Sequence, residues 1–221
     1  MGDATGEVHV VLRVWLPDRP GALGQVASRI GSVRGDIAGV EVVDRGDRVA
    51  IDEFSVILPN LELVPMLVRE VEQVDGASVE EVRAVERFGD PRLDMIETAT
   101  RLGACGTIDE LARALTQVVR EELRATWAAL VGPRPPFVAG PAPPLDELEA
   151  LARGAGASPA VRAGEAGPDD LAVAEVPHRD ATLLVGRDTP GFRPRERREL
   201  VALTRLADAL GRTLRAATVT R

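Results

Sequence analysis

The chain has 221 residues, a formal net charge of −8 and a hydrophobic content of 45%, enough apolar material for two small globular domains. All 27 basic residues are arginine, tyrosine is absent, and there are two histidines and one cysteine. This composition excludes a catalytic lysine, a tyrosine acid, a three-histidine metal site and an internal disulfide. We therefore expect no enzymatic activity, no resident cofactor and no metal.

Acidic residues are concentrated in the first part of the chain. Residues 1–90 hold 9 Arg against 17 Asp and Glu, whereas residues 91–221 hold 18 of each kind. An acidic first half repels phosphate backbones, so nucleic acid is not an expected partner. The sequence shows no signal-peptide pattern and no apolar stretch long enough to span a bilayer, so we expect a cytoplasmic protein without a membrane partner.

A strand followed by a helix is predicted at the start of the chain. Apolar residues alternate over residues 8–16, which is typical of a strand with one buried face. Beyond the turn residues, the spacing changes to the helical period over residues 23–33. Asp18 is expected to cap this helix, and Pro20 to lie in its first turn.

Three strands and one helix complete the predicted first domain. The strands cover residues 37–43, 49–58 and 79–85, and the helix covers residues 63–74. Alternation in the middle strand changes phase at Asp52-Glu53, where we expect a bulge. The order is the ferredoxin-like βαββαβ pattern, an α+β fold with both helices on one sheet face. The other face, which carries Trp15, is expected to be open and to favour a dimer.

The segment Asp18-Arg19-Pro20-Gly21-Ala22-Leu23 ends the alternating strand, and Val26, Ile30 and Ile37 follow it. In this arrangement the chain resembles the ACT domain, a small regulatory module that binds amino acids. The resemblance covers residues 8–86 and places an ACT-like regulatory domain in residues 1–88. It implies ligand binding by Asp18, Arg19, Pro20, Gly21, Ala22 and Leu23. It also implies a homodimer through the sheet or the helices, because such ligands commonly bind between two domains.

The chemistry of this loop suits an amino acid. A helix start offers unpaired backbone N–H groups and the positive end of the helix dipole. Gly21, Ala22 and Leu23 are therefore expected to donate to a ligand carboxylate, and Asp18 to accept a ligand ammonium. The alternative is structural: Asp18 only caps the helix, and Gly21 only allows close packing.

The second half of the chain predicts a linker helix and a second domain. A connecting helix is expected within residues 89–106, and the capping box Thr107-Ile108-Asp109-Glu110 opens the next helix. Residues 133–144 hold six prolines and fit neither a helix nor an interior strand. The remaining expectations are a strand at 125–131, a short helix at 145–155, a loop at 154–170, a hairpin at 171–187 and a helix from Pro194.

The ending of the chain carries a second resemblance. Leu183-Leu184-Val185-Gly186-Arg187, Pro190-Gly191-Phe192 and the long leucine-rich helix resemble a GAF domain. This resemblance implies a small GAF-like α/β/α domain with an antiparallel sheet over residues 107–221. The chain departs from the family between Val131 and Leu171, where the family usually builds its ligand pocket. A cyclic-nucleotide or chromophore role is therefore not the leading expectation.

Three further features consist of ionisable side chains outside the Asp18–Leu23 loop. Asp52 and Glu53 form either an acidic pair for a cation or ligand amine, or a solvated strand edge. His178 is expected to serve as a polar turn residue. The arginines of residues 193–198 are expected to form a solvated helix start that pairs with the acidic first half.

The leading interpretation is a non-enzymatic regulatory protein that binds a small metabolite, best matched by an amino acid, in its ACT-like domain. The GAF-like half would serve dimerisation or signal output to an unidentified protein partner. Three alternatives stay open: a constitutive assembly module without a ligand, a GAF-based small-molecule or nucleotide sensor, and an enzyme using carboxylates of residues 131–170.

Overall fold

The computed structural model describes residues 6–46 and 48–219. The chain divides into two compact units, Met1–Gly89 and Asp90–Arg221. Each unit combines helices with one four-stranded antiparallel sheet, so the fold is α+β as expected.

The first unit has the element order predicted from its alternating and helical patterns. Its elements are β1 (Val8–Pro17), α1 (Ala22–Ser32), β2 (Asp36–Arg45), β3 (Val49–Leu58), α2 (Val64–Val71) and β4 (Ser78–Val85), with a 3-10 turn at Leu61–Leu63. The strands lie in the order β2-β3-β1-β4, and all neighbours are antiparallel. This is the ferredoxin-like arrangement, in which β2 and β4 form the edges.

One sheet face of this unit forms its core together with both helices. The buried cluster joins alternate residues of β1 and β3 to the apolar stripes of α1 and α2. Its members are Val10, Leu12, Val14, Leu16, Val26, Ile30, Val33, Phe54, Val56, Leu58, Leu67, Val71 and Val74. The alternation of β1 is therefore confirmed as the pattern of a core-facing strand.

The bulge predicted at Asp52-Glu53 is wrong. β1 and β3 pair without interruption from Val8 opposite Leu58 to Pro17 opposite Val49. Asp52 simply occupies a core-facing position opposite Val14, where the apolar phase of the strand continues on either side of it. The irregularities of this sheet lie in β2 and in the pairing of β1 with β4.

The other sheet face is not open at its centre, contrary to expectation. Arg13 is only 3% exposed, and its guanidinium contacts the Glu53 carboxylate at 2.6 Å. Trp15 donates its indole N–H to Glu80 at 3.2 Å. Charged side chains thus cover one another on this face, which an alternation pattern alone does not show.

The second unit is a three-layer arrangement. Its elements are α3 (Pro91–Gly103), α4 (Ile108–Glu122), β5 (Trp127–Val131), β6 (Phe137–Ala139), α5 (Leu145–Gly156), α6 (Pro159–Arg162), β7 (Leu171–Val176), β8 (Ala181–Gly186) and α7 (Pro194–Val219). The sheet order is β6-β5-β8-β7. One face packs against α4 and α7, onto which α3 packs in turn, and the opposite face packs against α5.

Local signals in this unit are confirmed at its helix starts and at its hairpin. Thr107 and Glu110 form both halves of the capping box that opens α4. β7 and β8 pair as the predicted hairpin. The loop predicted at 154–170 is partly wrong, because α5 continues to Gly156 and α6 follows at Pro159–Arg162. Ser158 caps α6 through its hydroxyl, a signal that the glycine-rich composition obscured.

Candidate functional site

The loop between β1 and α1 has a different geometry from the one its sequence predicts. The helix begins at Ala22 after Gly21, which has a φ of 88° and a ψ of −13° and makes no side-chain cap. The prediction that Asp18 caps α1 is therefore wrong, and so is the placement of Pro20 in its first turn. Instead, the Asp18 backbone N–H donates to the Arg48 carbonyl at 2.8 Å. The Asp18 carboxylate lies 3.5 Å from Nε of Arg45.

The start of α1 presents backbone donors to its surroundings. The Ala22 N–H donates to the Arg19 carbonyl at 3.3 Å, and the Gln25 N–H donates to the Gly21 carbonyl at 3.0 Å. Among the described residues, no acceptor is recorded for the N–H groups of Leu23 and Gly24. Both residues are exposed. The first turn of α1 therefore keeps two donors and the positive end of the helix dipole for an external anion.

Asp52 lies on the core face of the sheet beside this loop. Its neighbours across the strands are Val14 and Val42, and the residue is 4% exposed. Within the described part of the chain, its buried Oδ1 atom has no hydrogen-bond partner. An unpartnered carboxylate oxygen in an apolar layer is costly, since buried polar groups are normally hydrogen-bonded.

The path of α1 places its first turn near Asp52. At the end of the helix, Ile30 and the β3 residue Val56 both lie within 3.0 Å of the position where Gly35 would carry a Cβ. Going back from Ile30 to Ala22 covers about 12 Å at the helical rise. Going back from Val56 to Asp52 covers about 13 Å along the strand. The free donors of α1 and the Asp52 carboxylate therefore belong to the same end of the sheet.

Burial raises the pKa of Asp52 above its ordinary value of 3.8. The positive charge of Arg45 opposes this rise, and the negative charge of Asp18 adds to it. The three side chains therefore form one electrostatic group, with two carboxylates and one guanidinium. The positive charge of Arg45 is divided between Asp52 and Asp18, because its guanidinium also forms an ion pair with Asp18.

The six loop residues predicted to bind a ligand lie together at the start of α1. All are exposed except Ala22, which is buried. Asp52 and Glu53 do not form an acidic pair, because successive strand residues point to opposite faces. Sequence reasoning missed Arg45 and assigned Asp52 to a bulge. The available signal was the spacing Ala50, Asp52, Phe54, Val56, Leu58, which has a single period of two with one polar member.

Two buried arginines of the second unit, Arg187 and Arg197, have several hydrogen-bond partners. Arg187 forms a two-bond pair with Glu196 at 2.9 Å for each bond, and it also donates to the Leu123 carbonyl at 2.7 Å. Arg197 donates to the carbonyls of Leu171 and Pro168. The prediction of a uniformly solvated arginine cluster at the start of α7 is therefore wrong. Burial lowers the pKa of Arg197.

His178 lies in the predicted turn, in a 3-10 segment at Pro177–Arg179, and it is buried there. Its ring Nδ1 lies 3.3 Å from Asp208 of α7, and its backbone N–H donates to the same carboxylate at 2.7 Å. Burial lowers the pKa of His178, the negative charge of Asp208 opposes this, and the positive charges of Arg215 and Arg179 add to it. Sequence reasoning could not see this because Asp208 and Arg215 lie on a distant helix.

Outside this loop, the described residues form a further cleft but hold no metal-binding group and no membrane-spanning helix. An acidic cleft of about 230 Å³ in the second unit is lined by Asp94, Glu97, Thr98, Arg101, Glu121 and Glu122. Within residues 6–46 and 48–219, no group of three or more His, Cys, Asp or Glu side chains is arranged to hold a metal ion. The same ranges contain no helix with the length and apolar character needed to cross a membrane.

Comparisons with known proteins give weak structural likenesses. No protein-family model matches the sequence, and no curated protein matches it. The solution structure of the ACT domain from GTP pyrophosphokinase of Chlorobium tepidum is 15% identical, covers 38% of this chain and 93% of its own, and has a TM-score of 0.30. The crystal structure of that domain is 16% identical, with coverages of 36% and 99% and the same TM-score. Likenesses at this TM-score carry no argument about family or ligand.

Proposed function

We propose that this protein is a non-enzymatic regulatory protein that binds an amino acid at the loop between β1 and α1. The observation that carries the proposal is the pair of backbone donors on Leu23 and Gly24, which have no recorded acceptor among the described residues. They stand at a helix N-terminus, where a ligand carboxylate is stabilised by both hydrogen bonds and the dipole.

The expected affinity follows from the strength of these bonds. A hydrogen bond to a charged group contributes roughly 1.5–3 kcal/mol. Two or three such bonds, less the cost of immobilising a small ligand, correspond to a dissociation constant of about micromolar to millimolar. Such an affinity suits the sensing of a metabolite whose concentration varies in that range.

A homodimer and a role in signal output for the second, GAF-like unit are part of the same proposal. Leu23, Val40 and Val42 are each about 44–45% exposed, so the helix start and the β2 edge present apolar surface. A second copy covering this edge would bury that surface and close over the ligand. Sedimentation equilibrium with and without ligand tests the dimer. Hydrogen exchange in residues 90–221 on ligand addition tests the output role.

The binding proposal is tested by titration calorimetry with each of the twenty L-amino acids. We expect at least one to bind with the affinity given above. Leu23→Pro removes one of the two donors and should weaken binding about tenfold, the value of one hydrogen bond to a charged group. Proline is compatible with this position, since α2 carries Pro65 directly after the helical Val64.

Leu23→Ala is the matched control for this variant. Both substitutions remove the isobutyl group, but only Leu23→Pro removes the N–H. Equal affinities for the two variants would show that the backbone donor plays no part. Absence of binding by every amino acid would favour the assembly module without a ligand.

A further inference from the structure

An unpartnered acidic group lies beside the two free donors of α1. Asp52 is 96% buried, its Oδ1 atom has no recorded partner among the described residues, and its strand neighbours Val14 and Val42 are apolar. The positive charge of Arg45 acts on Asp52 and opposes the rise in its pKa that burial causes. The same guanidinium forms an ion pair with Asp18. The site therefore has an excess of negative charge at the point where the helix offers positive charge.

We propose that the Asp52 carboxylate accepts hydrogen bonds from the primary ammonium group of the ligand, while the N–H groups of Leu23 and Gly24 donate to the ligand carboxylate. This inference rests on the proposed function and adds the group that recognises the amine. The two halves of the site then match the two charges of an amino-acid zwitterion. A ligand with a hydroxyl in place of the amine would leave Asp52 unpaired.

A purely structural role for Asp52 does not account for its surroundings. Buried charges are normally paired, as Arg187 is with Glu196 in the second unit. The dipole of α1 returns only a fraction of the cost of burying a carboxylate without a hydrogen bond. A ligand ammonium would supply three donors and a compensating charge, which is what the carboxylate lacks.

Access to Asp52 requires a small movement at the start of α1. Gly21, directly before the helix, is exposed and adopts a positive φ, and a Cβ built on it would have no atom within 4 Å. The first turn of α1 would move about this glycine. Of the buried stripe Ala22, Val26 and Ile30, only Ala22 would change its packing. The ligand amine then enters beside the exposed side chain of Leu23.

The test compares ligand classes and variants by calorimetry and thermal shift at pH 7. The probes are the twenty L-amino acids, their decarboxylated primary amines and their 2-hydroxy-acid analogues. We expect the wild-type protein to bind an amino acid at least tenfold more tightly than its 2-hydroxy-acid analogue. Asp52→Asn should lose this preference and weaken amino-acid binding at least tenfold. Asp36→Asn, an exposed aspartate of β2 with the same change of charge, should bind like the wild-type protein.

Each outcome decides between the two levels of the proposal. Equal binding by the wild-type protein and Asp52→Asn, or equal binding of the amino and hydroxy acids, overturns the role of Asp52 and leaves the amino-acid function standing. A tenfold loss in Asp18→Asn with none in Asp52→Asn assigns the amine to Asp18 and also overturns it. Binding of amines alone, abolished in Asp52→Asn, supports Asp52 and overturns the amino-acid function. Binding of no probe overturns both. The wild-type comparison of ligands needs no variant, so a folding defect cannot hide the answer.

Discussion

Two buried charged groups, Arg187 in the second unit and Asp52 in the first, differ in their partners. In the second unit, Arg187 and Glu196 neutralise each other, and Arg187 also bonds to main-chain carbonyls. In the first unit, Asp52 is buried to a similar extent on the core face of the sheet, yet its Oδ1 atom lacks a recorded partner among the described residues. We infer that the Arg187–Glu196 pair stabilises the fold, whereas the Asp52 carboxylate is available to a ligand.

The largest effect is expected from breaking the paired group. Glu196→Ala leaves the Arg187 guanidinium buried without its carboxylate, and loss of one partner of a buried ion pair costs about 3–5 kcal/mol. It also removes the acceptor for the Arg193 backbone N–H at the start of α7. Urea unfolding followed by pulsed hydrogen exchange and mass spectrometry reports this loss separately for residues 90–221.

Glu165→Ala serves as the control, because Glu165 is an exposed glutamate of the same unit. It should change the free energy of unfolding by less than about 0.5 kcal/mol. If Glu196→Ala were equally mild, the Arg187–Glu196 pair would not be a stabilising element, and the contrast between the units would lose its reference.

The unpaired group should respond in the opposite direction. Asp52→Asn removes a buried charge and retains a polar side chain of the same size, so we expect the ligand-free first unit to gain about 1 kcal/mol of stability. Stabilisation combined with loss of ligand binding is the signature of a residue kept for function. Destabilisation by more than about 1 kcal/mol in the same urea experiment would instead assign Asp52 to the fold.

The smallest effect, and the one that separates the units most sharply, is their dependence on pH. The raised pKa of folded Asp52 means that its cost is complete at neutral pH and disappears as the pH falls through that pKa towards 3.8. The advantage of Asp52→Asn should therefore shrink on acidification. His178 behaves oppositely, because its folded pKa lies below 6.5 and the unfolded chain takes up the proton first.

The second unit should accordingly lose stability as the pH falls below 6.5, with a slope of at most about 1.4 kcal/mol per pH unit from this one group. His178→Gln should flatten the slope between pH 7 and 5.5. The measurement is the urea midpoint of each unit as a function of pH. Parallel pH profiles of the two units would contradict the assigned causes.

The sequence alone predicts the parts of the fold that depend on local patterns. Alternation identified β1, helical spacing identified α1, and Thr107 with Glu110 identified the start of α4, because each signal lies within one element. The position of Asp52 was misjudged because one polar residue in an apolar phase has the same pattern as a bulge. Only the pairing of Asp52 with Val14 across the sheet distinguishes them.

Partners distant in sequence account for the other differences. Arg197 meets carbonyls from the segment before β7, and His178 meets Asp208 from the last helix. The sequence locates Asp18–Leu23 correctly as a strand-to-helix junction but not the helix cap. Asp18 instead contacts Arg45 at the end of β2 and Arg48 in the turn that follows. Local sequence indicates where a helix starts, whereas tertiary contacts decide which side chains remain available there.

In the proposed complex, one ligand joins the free donors of α1 to the buried carboxylate of Asp52. The most direct measurement is a two-dimensional NMR titration of the labelled protein with the amino acid that binds most tightly in calorimetry. We expect saturable shifts of the Leu23 and Gly24 amide signals and of the Asp52 carboxyl carbon, all with one dissociation constant. Shifts confined to other residues, or an Asp52 carboxyl signal that does not respond while the amides do, would contradict it.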